Sequence, residues 1–111
     1  MAKHGTVTFK GASGQSYQFT AYSRDTTFNE VGAVYFMTKR GQDGSGGFSH
    51  TRIYVGQTGN LANRPLNHHR KSCFDREGAN CVCVFTEDDE DIRRGIERDL
   101  INNFDLPCNR E

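Results

Sequence analysis

The feature that most limits how this chain can fold is a change of period along it. Residues 6–10 and 16–22 alternate apolar and polar, and residues 33–38 and 51–55 are short apolar runs rich in β-formers. Beyond residue 87 the spacing turns helical, with Ile92, Ile96, Leu100, Ile101 and Phe104 on one stripe. Turn clusters separate the paired runs: Gly11-Ala12-Ser13-Gly14 in the first pair and the glycine-rich residues 41–47 in the second. Two hairpins are therefore expected. The second has a long tip, read as a solvated connector because no helix start follows it.

After Gly56, Asn60 is placed to N-cap a helix running to about Arg70, with Pro65 disturbing its early turns. Residues 79–86, centred on Cys81-Val82-Cys83-Val84-Phe85, read as a strand. The acids at 87–91 crowd the start of the last helix, where they complement its dipole, and Pro107 is expected to stop it. The order β-β, β-β, α, β, α places the fold in the α+β class, a small antiparallel β-sheet flanked by helices. At 111 residues the chain suffices for one compact domain. Residues 1–30 are expected to form an N-terminal β-hairpin extension that lengthens the sheet, covers it or pairs with another protomer.

Eight Phe and four Tyr supply an aromatic core. No apolar run approaches the roughly 20 residues of a membrane span, and residues 1–10 lack the apolar stretch of a signal peptide, so a cytoplasmic protein with no membrane partner is expected. The formal net charge is zero, which argues against a surface that binds polyanions everywhere. Residues 1–70 carry eight Lys/Arg against three Asp/Glu, and residues 71–111 carry six against eleven. A local basic stripe from Lys39, Arg40, Arg52, Arg64 and Arg70 with His50, His68 and His69 would form only if they converge. Cys73, Cys81, Cys83 and Cys108 are read as buried free thiols. A zinc site with His68 or His69, or two disulfides, are the alternatives.

Three features carry chemistry. Tyr35 and Tyr54 lie on consecutive strands of one hairpin, so their phenols can share a sheet face. Arg64 and His68 are four apart, where a guanidinium and an imidazole could address one phosphate. Glu97 borders the last helix's apolar stripe, where a carboxylate can be partly buried and still reach a cation.

Taken together these residues resemble the GIY-YIG nuclease superfamily. Gly32-Ala33-Val34-Tyr35 is similar to its first motif and Ile53-Tyr54-Val55-Gly56 to its second. Arg64 follows Gly56 by eight residues, His68 stands four further on, Glu97 resembles the metal-binding glutamate and Asn109 the closing asparagine. The resemblance spans residues 32–109. It departs from the family at Ala33, at Gln57 where some members carry Lys, and in the 19-residue separation of the tyrosines, which the glycine-rich tip would absorb.

The resemblance implies a GIY-YIG-like nuclease domain over residues 31–111 that hydrolyses phosphodiester bonds, in nucleic acid and most simply DNA. Glu97 would hold Mg²⁺ or Mn²⁺, Arg64 would stabilise transition-state charge, and Tyr35 or Tyr54 would position the attacking water. His68 would bond a tyrosine or the phosphate, and Asn109 would fix the helix end or a site water. So small a core leaves little surface for reading sequence, which falls to a protein partner, a homodimer or DNA structure. The alternative is a catalytically silent GIY-YIG-like nucleic-acid- or protein-binding module.

Overall fold

The computed structural model describes residues 3–63 and 70–109. Strands β1 (Lys3–Lys10), β2 (Ser16–Ser23), β3 (Ala33–Gln42), β4 (Phe48–Thr58) and β5 (Cys81–Thr86) form one five-stranded sheet in the order β1-β2-β5-β3-β4. Every neighbouring pair is antiparallel. With helices α1 (Lys71–Glu77) and α2 (Glu90–Ile101), it is the small α+β domain expected.

β3 reads as a continuous apolar run because it sits between β5 and β4 with both faces covered. On one face Val34 and Phe36 pack with Val55 of β4 and with Ile96 and Leu100 of α2. On the other, Ala33, Tyr35 and Met37 pack with Ile53, Val82 and Val84 and with Cys73 and Phe74 of α1. The N-terminal hairpin lengthens the sheet: β2 pairs with β5 from Thr20↔Val84 to Ser23↔Cys81. It also fills the core. Phe9 stacks on Phe36 with centroids 4.1 Å apart, and Phe19 meets Phe36 edge-on at 5.5 Å.

Several expectations are corrected. Asn60 caps a 3₁₀ turn, Leu61–Asn63, its side-chain oxygen accepting the Ala62 N–H at 3.0 Å, so the first turn is irregular. Residues 64–69, the rest of that expected helix, lie outside the described residues. α1 starts where the expected helix was to end. Its buried Cys73 and Phe74 seat it on the sheet, and Gly78, at φ +79°, ends it in the left-handed conformation. The hairpin tip is shorter than expected and ordered, with the Asp43 carboxylate accepting the Ser45 and Gly47 N–H groups.

α2 ends at Ile101, before Phe104 and well before Pro107, followed by turns in which Asn103 donates to the Lys10 carbonyl at 2.7 Å. Its buried residues are Arg93, Ile96 and Leu100, while Ile92 is 49% exposed. Asp89 sets this phase by accepting the Asp91 and Ile92 N–H groups as N-cap.

The expectation of four free thiols is overturned in half. Cys73 and Cys108 form a disulfide that ties α1 to the C-terminal segment, and Cys81 and Cys83 are the free, buried pair. The sequence separation of 35 hid this pairing, since only the fold brings the two Cα atoms within 5.8 Å. Among the described residues no helix is long and apolar enough to cross a membrane.

Candidate functional site

Residues 54–57 of β4 are the axis on which the described site residues meet. Tyr35 pairs with Gly56 and Met37 with Tyr54, so both phenols stand on the α1 face as diagonal cross-strand neighbours. Their ring centroids are 6.1 Å apart at an interplanar angle of 39°. Gly56 leaves the space they use: a Cβ there would lie 2.8 Å from the Tyr35 hydroxyl and 2.8 Å from Tyr54 Cε2. The two tyrosines differ in access. Tyr35 is 1% exposed, whereas Tyr54 is half-buried and packs its ring on Phe74 at 5.3 Å.

Glu97 reaches the same stretch from α2, where its half-buried carboxylate lies close enough to the Gln57 backbone N–H to be stabilised by it. Burial pushes its pKa above the ordinary carboxylate value, opposed by Arg94, the nearby Gln57 backbone N–H and Arg98. None of the three arginines near it in sequence pairs with it in the way a surface ion pair would require. Arg94 bonds Glu90 at 2.7 Å, and Arg93, four residues before Glu97, is engaged elsewhere.

Arg93 holds this stretch in place, and the sequence offers it only as a surface ion-pair partner. It is 6% exposed and donates to Gln57 Oε1 at 3.0 Å, to the Glu87 carbonyl at 3.0 Å and to the Asp88 carbonyl at 2.8 Å. Its guanidinium also fills the space over Gly32, where a Cβ would lie 2.5 Å from Nη1. Gln57 is thus held at its side chain by Arg93, with the Glu97 carboxylate near its backbone. The available signal was the spacing: a residue four before Glu97 shares its helix face.

Asn109 completes the edge. Its amide oxygen accepts the Val55 N–H at 2.9 Å and its amide nitrogen donates to the Val55 carbonyl at 3.0 Å, in the manner of a neighbouring strand. The Cys108 N–H donates to the Ile53 carbonyl at 3.1 Å, so the C-terminal segment runs beside an otherwise open edge. The disulfide at Cys108 anchors the residue before Asn109 to α1.

Four of the six expected residues, Tyr35, Tyr54, Glu97 and Asn109, therefore border one tetrapeptide, the phenols on the α1 face and Glu97 reaching it from α2, which packs on the other. Arg64 and His68 lie outside the described residues. Of the expected basic stripe, Arg52 lies over the Phe104 ring at 4.3 Å and Arg40 over the Phe48 ring at 3.6 Å, both on the tip side of the β3–β4 hairpin from Gly56, while Arg64, His68 and His69 lie outside the described residues. A cleft of about 470 Å³ lies there too, lined by His50, Thr51, Arg52, Asn103, Phe104 and Asp105. None of the expected site residues lines it. Zinc held jointly by Cys73 and Cys108 with His68 or His69 is excluded by the disulfide.

Comparison with protein-family models gives no match, nor do comparisons with curated proteins and with solved structures.

Proposed function

We propose that this chain is an endonuclease of GIY-YIG type that hydrolyses phosphodiester bonds in DNA with one divalent cation. The observation that supports the reading is that two phenols on the α1 face, one carboxylate from α2 and one amide from the C-terminal segment all border Tyr54–Gln57 at the sheet edge, though remote in sequence. Such a set offers a hydrogen-bonding group for water, an anionic ligand and a rigid edge to hold them.

Glu97 fits a hard cation: Mg²⁺ is commonly held by one carboxylate plus substrate phosphate, and a dication would offset the cost of burying this charge. Mg²⁺ or Mn²⁺ bound there would supply Lewis-acid stabilisation of phosphate charge. Tyr54, the more accessible phenol, orients the attacking water, while Tyr35 fixes its ring from beneath. Arg64 neutralises charge that develops on the phosphate, and His68 bonds a tyrosine or the phosphate. Arg93 and Asn109 position rather than react. A second copy or a protein partner supplies the DNA-reading surface that this small domain lacks.

The second reading, a silent nucleic-acid- or protein-binding module, is favoured by the burial of Tyr35 and by zero net charge, since nonspecific DNA affinity grows with phosphates neutralised. Plasmid nicking in Mg²⁺ or Mn²⁺ separates the two. The nuclease nicks, loses activity in Glu97→Ala, and slows about 100-fold or more in Tyr54→Phe. Binding without cleavage under every cation selects the module.

A further inference from the structure

On the α2 face of the sheet, opposite the tyrosines, three soft ligand groups stand together. Cys81 pairs with Thr38, Cys83 with Phe36, and His50 with Arg40, so all project from one side of three adjacent strands. The donor atoms of His50, Cys81 and Cys83 lie within 4.8 Å of one another. Thr38, fully buried, joins them: its hydroxyl is 2.9 Å from His50 Nδ1, and its Cα partner across the β3–β5 pairing is Cys81. We propose that His50, Cys81 and Cys83 form a zinc-binding site, independent of the carboxylate site at Glu97.

The donor set is the argument. Two thiolates and an imidazole match zinc's preference for sulfur and nitrogen, whereas magnesium and calcium take oxygen. Zinc–sulfur bonds near 2.3 Å and zinc–nitrogen bonds near 2.0 Å place tetrahedral donors roughly 3.5 Å apart. Closing from 4.8 Å is within reach of side-chain rotation. Three protein ligands leave a fourth position, and His50 also lines the cleft of about 470 Å³, which gives that position a route to solvent.

The surroundings favour the ligating forms. Burial, Arg40 and His4 push the His50 pKa down, which favours neutral imidazole. The neighbouring Cys83 and Arg40 favour a thiolate at Cys81, while the same sharing and burial disfavour one at Cys83. Zinc bound by both sulfurs displaces their protons. Arg40, stacked on Phe48, acts electrostatically on both His50 and Cys81, and two thiolates with one Zn²⁺ leave no net charge for it to oppose.

The test is zinc content of the full chain purified without chelator, followed by titration of the stripped protein with Zn²⁺ against a chromophoric chelator. One zinc per chain is expected, and Co²⁺ in its place gives a thiolate-to-cobalt charge-transfer band. His50→Gln is the decisive variant because His50 is only half-buried on β4 and its loss leaves the sheet intact. It should weaken zinc binding about 100-fold or more, and Thr38→Val about 10-fold by removing an orienting hydrogen bond. Absence of stoichiometric zinc, or wild-type affinity in folded His50→Gln, overturns the proposal. Plasmid nicking by the zinc-free protein in Mg²⁺ checks the other site separately.

Discussion

Asn109 grips Val55 by both ends of its amide, accepting the Val55 N–H at 2.9 Å and donating to its carbonyl at 3.0 Å. A side chain from the C-terminal segment thereby acts as a short sixth strand beside β4. It fixes the backbone between Tyr54 and Gly56, the two residues that shape the phenol pair.

Asn109→Ala should therefore cost about 1–3 kcal/mol in urea unfolding, because two partly buried backbone groups lose their partners. Amide exchange at Val55 should quicken in the same variant. Unchanged stability and exchange would show that solvent replaces the amide without loss.

Gly56→Ala puts a methyl group 2.8 Å from both the Tyr35 hydroxyl and Tyr54 Cε2, so at least one ring must move. Overpacking of this kind costs about 1–3 kcal/mol. Displacement of a positioning group by about 1 Å should lower cleavage on the order of 100-fold, with circular dichroism unchanged. Wild-type cleavage by a folded Gly56→Ala protein would detach the phenols from the chemistry.

For Glu97, burial raises the folded-state pKa above the unfolded value. Between those two values the native state holds the extra proton, so this residue's contribution falls as pH rises through the folded pKa and is unfavourable above it. Glu97→Gln retains an oxygen for the Gln57 N–H and removes the charge. Its Tm at neutral pH, without divalent cation, should equal or exceed that of the wild type while cleavage is lost. The Tm difference should shrink as pH drops below the carboxylate range. A lower Tm at neutral pH would mean that the carboxylate stabilises the fold instead.

The Cys73–Cys108 disulfide closes a loop with a sequence separation of 35, and its reduction should cost about 2–4 kcal/mol. Thiol titration in denaturant should find the two free cysteines, Cys81 and Cys83, before reduction and all four after it. Since Cys108 precedes Asn109, reduction should also speed exchange at Val55. Four titratable thiols without reductant would remove this link.

What was legible in the sequence follows from the range of the forces involved. Strand alternation and the apolar run of β3 are local, so the hairpins and the α+β class could be read directly. That Tyr35 and Tyr54 share a face could not be read from parity, because it depends on the register shift between Met37 and Thr38. The phase of α2 could not, because the buried Arg93 breaks the apolar stripe and is satisfied only by Gln57 and two carbonyls from distant or capping segments. The disulfide and the His50–Thr38–Cys81–Cys83 cluster likewise depend on strand order β5-β3-β4, which no local pattern encodes.

The most direct test of a cation site on the Tyr54–Gln57 edge is relaxation of backbone amide signals by Mn²⁺ in the ¹⁵N-labelled full chain. Broadening should centre on Gln57 and Glu97, within a few residues of Gly56, and disappear in Glu97→Gln. Broadening confined to the acidic run at residues 87–91, or to His50 and the Cys81–Cys83 pair, would contradict the account.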